Sequence, residues 1–258
     1  MAKSKAEETA LTILSEPPAD IAELLKEDYG KGVSTKQSDN LVPLIYVLQP
    51  LSPQVQRRNE AYIEGAEPGC FWLRNAPTEI FSGEDGLLVQ PCFFNKDWVE
   101  WRPRTSGGGF VGRHAEIVDD QCPVADAEQR EDNRFKWTRP NGNELVHTRS
   151  HVFRVFTPGG IWPYIFPFTS TGHATSKALT NLITTKTNSV GFAGKYRLTT
   201  RERSNQMGTW FGVDVKFDSF CNKEEYLEGK KLYEAFASGA KVAATPDDTV
   251  LNKDEIPF

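Results

Sequence analysis

Residues that staple, ligate or span are scarce in this chain. Four cysteines, Cys70, Cys92, Cys122 and Cys221, are spread over 258 residues with no Cys-x-x-Cys pair. That spacing excludes a disulfide framework and a zinc ribbon, and it points to buried thiols in a reducing cytoplasm. Long apolar runs are missing as well. No stretch approaches the ~18 residues that a membrane-spanning helix requires. The N-terminus shows no secretory leader, so the expectation is a soluble cytoplasmic protein. Hydrolase signatures of the Gly-x-Ser-x-Gly or His-Glu-x-x-His type do not occur.

What is present suits a globular protein of one large domain or two small ones. Apolar residues make up 38% and aromatic residues 11% of the sequence, enough to build a core. Residues 1–40 are polar and read as a mobile arm, with one short helix at Ala19–Lys26. From Leu41 the chain turns to short, β-branched, turn-punctuated segments. Strands are expected near Leu41–Leu51, Leu87–Phe94, Leu145–Phe156 and Trp162–Thr169, with a last hairpin over Tyr196–Arg203 and Thr209–Phe217. Asn141-Gly142 supplies the positive φ of a tight hairpin turn. Gly107–Gly109 marks a flexible loop, and Asp119–Asp132 a solvated acidic excursion. Helices are expected at Ser176–Thr187, with Ser176 as its cap, and at Lys223–Ala240. The fold class is mainly β with a few helices (α+β): an OB-fold-like, partly open β-barrel with insertions over 41–241, followed by an acidic tail at 242–258.

Charge is unevenly distributed. Between Arg134 and Met207 eleven basic residues face two acidic ones, a balance of +9, so with −5 overall the rest of the chain carries −14. Ten aromatic residues are interleaved with this basic stretch. Cations along a backbone and flat rings for stacking are what a groove for single-stranded nucleic acid needs, at about 1–3 kcal/mol per stacked base. At period two, Lys195, Arg197, Arg201 and Arg203 share one strand face while Tyr196 and Leu198 take the other. The bland alternative is a solvated face that blunts an edge strand. Candidate phosphate contacts are Lys195, Arg197, Arg201, Arg203, Arg149, Lys136 and Arg139, with Arg102, Arg104 and Arg113 around the glycine loop. Candidate stacking rings are Trp137, Tyr196 and Trp101.

The chain ends Asp254-Glu255-Ile256-Pro257-Phe258 behind further acidic residues, Asp247 and Asp248. Such an ending suits a basic rim beside a small apolar pocket, with Pro257 limiting the entropy lost on docking. It resembles the acidic tip of bacterial single-stranded DNA-binding proteins, and of phage proteins of that function. The resemblance covers the last five to twelve residues. It implies a non-catalytic protein that coats single-stranded DNA in a bacterial host cell and recruits replication or recombination proteins through Asp254, Glu255, Ile256, Pro257 and Phe258. The large body and the missing Gly/Gln/Pro-rich linker are closer to a phage version and put the bacterial tetramer in doubt, leaving a homo-oligomer open. A tail of this charge can also occupy the basic groove, so that its deletion tightens DNA binding.

Other chemistry finds little footing. Gly107–His114 has the glycine spacing of a P-loop, but Arg113 and His114 stand where Lys and Ser/Thr belong. His147 and His151 share a strand face about 13 Å apart, too far for one ion. No metal or cofactor is expected. Two rivals stay open: a metal-dependent nuclease or recombination factor using the same tail, and a phage structural or interaction protein that binds no DNA.

Overall fold

In the computed structural model, residues 42–74, 79–115, 126–206 and 208–238 are described. The expected arm, the helix Ala19–Lys26, half of the acidic excursion and the whole tail, including Asp254–Phe258, lie outside them. Three short strands, β1 (Ile45–Val47), β2 (Phe71–Leu73) and β3 (Ile80–Phe81), pair antiparallel in that order. The main sheet comprises β4 (Leu87–Trp101), β5 (Phe110–Ala115), β6 (Glu128–Gln129), β7 (Lys136–Thr138), β8 (Glu144–Thr157), β9 (Gly160–Thr169), β10 (Gly194–Asn205) and β11 (Gly208–Phe220). Its order is β11-β10-β4-β8-β7-β6, with β5 added to β4 and β9 to β8. Two helices, α1 (Gly172–Thr187) and α2 (Lys223–Ala237), complete the described chain. The sheet curls into an open half-barrel, in keeping with the expected OB-like α+β class.

The strands run longer than the sequence pattern implied. Polar Asn95, Lys96 and Asp97 seemed to end a strand at Phe94, yet β4 continues to Trp101. A bulge between Pro91 and Phe93 exchanges the two faces there, and the polar residues pair across to Ser150, Arg149 and Thr148 of β8. The Asn141-Gly142 turn forms as expected: Gly142 has φ +83°, and the Arg139 N–H donates to the Asn143 carbonyl.

The open side of the half-barrel lies between β11 at one edge and β9 on the other side. The segment Leu44–Gln49 spans it. Leu44 bridges to Ile165 of β9, and the Gln49 side-chain amide donates to the Phe211 carbonyl and accepts from the Phe211 N–H of β11. Helix α1 packs against the same two strands, with Thr175 Oγ1 donating to the Val213 carbonyl. The larger core joins Ile45, Phe71 and Leu73 of the small sheet to Val89, Phe153, Tyr196 and Leu198 of the large one, with Leu179 of α1.

Ser176 is not a cap. Helix α1 starts at Gly172 behind Thr171, and Ser176 is fully buried inside it. Within its threonine-rich stretch Thr180, Thr184, Thr185 and Thr187 satisfy their hydroxyls on carbonyls four residues back. Helix α2 starts with a capping box, Asn222 and Glu225 exchanging hydrogen bonds. It ends at Ala237 rather than at Ala240, which lies beyond the described residues.

Gly229 seats α2 on the sheet. A Cβ there would overlap the Gln90 amide nitrogen and sit 2.9 Å from Phe192 Cβ. Gln90 donates to the Phe192 and Glu225 carbonyls, and Arg154 donates to Gln90 Oε1. Gly229→Ala is expected to cost about 1–3 kcal/mol by overpacking, despite the better helix propensity of Ala. A urea midpoint equal to or above that of the wild type would refute this seating.

Candidate functional site

A cleft of about 250 Å³ opens in the seam between the edges of the half-barrel. Its walls come from six places along the sequence: the β1 segment, the ends of β4 and β5, β7, Thr148 of β8, the β9–α1 junction, and the start of β11 with the end of β10. Six aromatic rings line it: Tyr46, Trp101, Phe166, Phe168, Trp210 and Phe211. Three cations, Arg113, Lys136 and Arg203, join them, and none of the lining residues is Asp or Glu. The first turn of α1, Thr171 and Gly172, also faces the cleft and adds the positive end of a helix dipole.

Each cation is held by a carboxylate that does not itself line the cleft. Arg113 Nη1 lies 2.6 Å from Asp97 Oδ2, Lys136 Nζ 4.0 Å from Glu144 Oε2, and Arg203 Nη2 2.7 Å from Asp214 Oδ1. These counter-ions orient the side chains and reduce, without cancelling, their pull on an anion. Behind the cleft sits Glu100, only 3% exposed. It accepts from Asn143 Nδ2 at 2.6 Å, contacts His114 Nε2 at 2.7 Å and pairs with Arg139. Burial by itself would raise the pKa of this carboxyl, but the bonds from Asn143 and His114 and the Arg139 charge outweigh it and hold the group below its usual range.

Of the thirteen candidate contacts drawn from the sequence, the structure gathers four in the cleft: Trp101, Arg113, Lys136 and Arg203. The β10 row does alternate as expected, with Tyr196 and Leu198 fully buried and the cations on the other face. All four of its cations are ion-paired, however: Lys195 with Glu225, Arg197 with Asp218, and both Arg201 and Arg203 with Asp214. Trp137 is half-buried edge-on against Trp98, and Arg139 is tied to Glu100 and Asp126. Arg102 is exposed, and Arg104 begins a single 3-10 turn before the glycine loop.

Two assignments are corrected. Tyr196 cannot stack on a base, because it is fully buried in the core and edge-on to Phe217. Arg149 is 6% exposed; its Nε donates to Ser176 Oγ and its guanidinium covers the Phe94 ring, so it serves the interior. Tyr46, Trp210 and Phe211 were missed because their place in the cleft depends on β1 crossing the seam, which no local pattern announces.

Sites for other chemistry are thin. Among the described residues no group of three His, Cys, Asp or Glu is placed to hold a metal ion. Burial pushes the thiols of Cys92 and Cys221 up to about 12 and about 11, so both stay protonated at neutral pH. Arg113 and His114 of the glycine-loop motif are engaged by Asp97 and Glu100. No described helix is long and apolar enough to cross a membrane.

No curated protein and no solved structure matches the chain. A phage family does, over nearly its whole length. With residues 14–242 of 258 matched, the chain belongs to the family of Pam3 phage gp34-like proteins.

Proposed function

We propose that this phage-family protein binds single-stranded DNA without sequence preference and holds the strand in the seam cleft. One observation carries the reading: the cleft combines three partly exposed rings, Tyr46, Trp101 and Phe211, with three cations and no carboxylate, over a floor of buried rings. Rings offer a stacking surface to any base, and cations follow a backbone whatever its sequence. A duplex keeps its bases stacked inside and cannot offer their faces to such a cleft. The ending Asp254–Phe258 is assigned the recruitment of replication or recombination proteins on its resemblance alone.

The test is fluorescence anisotropy with labelled poly-dT and with a duplex of equal length, over a salt series. The full chain is run beside one lacking Asp247–Phe258. At least tenfold preference for the single strand, falling steeply with salt, is expected, together with tighter binding after the deletion. Trp101→Ala is expected to weaken binding by about 1–3 kcal/mol, the worth of one stacked base. Equal affinity for duplex, or no binding at physiological salt, would defeat the reading.

A further inference from the structure

The cation row on β10 invites the view that each side chain meets its own phosphate. The geometry at its end is different. Asp214 stands opposite Thr199 in the β10–β11 register, Gly212 opposite Arg201, and Trp210 opposite Arg203. Both arginines nevertheless reach the same carboxylate: Arg201 Nη2 lies 2.6 Å from Asp214 Oδ2, and Arg203 Nη2 lies 2.7 Å from Oδ1. Arg203 gets there by lying across β11 above Gly212, where a Cβ would come 2.5 Å from its Nε. The missing side chain at 212 is what lets the guanidinium pass.

The result is two guanidiniums held one carboxylate's width apart on the rim of the cleft. Two positive charges face one negative charge, leaving a local excess of +1. Arg201 is 74% exposed at its side chain and Arg203 34%. A guanidinium has five N–H donors, and Asp214 takes the Nη2 side of each; Nε and Nη1 of both arginines have no hydrogen-bond partner among the described residues.

Building on the single-stranded DNA reading, we infer that Arg201 and Arg203 form one subsite for a single phosphodiester, pre-arranged by Asp214, at the point where the strand leaves the cleft. Planar forks of this kind match the oxygens of a phosphate better than a point charge does. Asp214 removes the cost of bringing two like charges together before the ligand arrives. Gly212 is the residue that makes the arrangement possible.

A shared phosphate and two separate ones differ in how binding responds to salt. For single strands the slope of log affinity against log salt shallows by about 0.7 for each phosphate that the protein no longer neutralises. The experiment measures this slope for poly-dT with the wild type, Arg201→Ala, Arg203→Ala and the double variant, each checked for an unchanged thermal midpoint. Each single variant is expected to shallow the slope by about 0.7, and the double variant by the same amount and no more. Gly212→Ala, which leaves net charge unaltered, should weaken binding to the level of Arg203→Ala. A double variant whose slope shallows by about 1.4, with additive reductions in affinity, would mean two phosphates and overturn the subsite. So would an unchanged slope in all variants, or wild-type binding by Gly212→Ala, while the DNA-binding reading would stand. If the wild type fails to bind poly-dT, the functional reading falls and takes the subsite with it.

Discussion

Acidification from pH 7.5 to pH 5 is expected to remove about 4 kcal/mol of folding stability through two buried histidines, one beneath α1 and one on its first turn, roughly 2 kcal/mol from each. His151 is 1% exposed on β8 and stacks on Phe153; burial, reinforced by the Arg149 charge, pushes its pKa down to about 3. His173, on the first turn of α1, is pushed down to about 4, mainly by burial. The bond to the His147 carbonyl raises it, and the charges of Arg149 and Lys177 lower it further. In the unfolded chain both rings take up a proton near pH 6.5, the ordinary value. Protons therefore favour the unfolded chain over the whole window between these values. The stability is complete above about pH 6.5, falls as pH drops below it, and is lost for each ring once its folded pKa is reached.

The surroundings of His151 show why the folded state refuses the proton. Arg149 Nε can only donate, so it fills a lone pair on Ser176 Oγ at 2.8 Å. His151 Nε2 lies 2.8 Å from the same Ser176 oxygen. A protonated ring would be a buried cation beside the Arg149 guanidinium, so burial and like charge both disfavour it. Urea midpoints recorded at intervals between pH 8 and pH 4.5 will test this. The double variant His151→Gln, His173→Gln should be less stable at pH 7.5 but much flatter with pH. A double variant with the wild-type pH slope would place the acid sensitivity elsewhere.

Local signals carried the fold further than the site. Short, turn-punctuated apolar segments located β8, β9, β10 and β11, period-two alternation set the faces of β10, Asn141-Gly142 located a turn, and amphipathic spacing located α2. Each of these depends on neighbours within a few residues. The continuation of β4 to Trp101 was not legible, because the bulge near Cys92 exchanges faces midway and polar residues satisfied by β8 resemble a strand end. Nor was the role of Ser176: a serine ahead of an apolar run is a common helix start, and only the buried Arg149 and His151 beneath it explain its place inside the helix.

The site was legible as residue types rather than as a place. A basic stretch with interleaved rings does contain Lys136 and Arg203, while Trp101 and Arg113 came from the glycine hairpin before it. The sequence could not say that these four meet, since they sit on β4, β5, β7 and β10. It also could not say which cations already had partners. Asp214, Asp218 and Glu225 come from β11 and α2, after the basic stretch ends, and each neutralises part of the β10 row. A charge count along the chain sees the stretch; the sheet register decides how much of it is left to a ligand.

Replacing Glu100 by Gln is expected to cost about 3 kcal/mol of stability, the lower range for breaking a buried ion pair, because His114 and Arg139 retain some exposure. The shape is nearly unchanged, but one carboxylate oxygen becomes an NH2. Donors then face Asn143 Nδ2, His114 Nε2 or Arg139, where an acceptor had served all three. Because the Glu100 pKa is depressed, its contribution is present above the ordinary value of 4.5 and is lost as pH falls through the lower folded value. At neutral pH the full loss is therefore visible. The consequence for the cleft follows from adjacency. Glu100 precedes Trp101 on β4, His114 follows Arg113 on β5, and Arg139 and Asn143 lie in the turn that joins β7, with Lys136, to β8. One buried charge thus ties together the three strands that present Trp101, Arg113 and Lys136 to the cleft. Glu100→Gln should weaken poly-dT binding about tenfold at temperatures where the variant is still fully folded, and Trp101 fluorescence should respond less to added strand. A stability loss with undiminished binding would confine Glu100 to the scaffold. Wild-type stability would mean that the three donors do not depend on its charge.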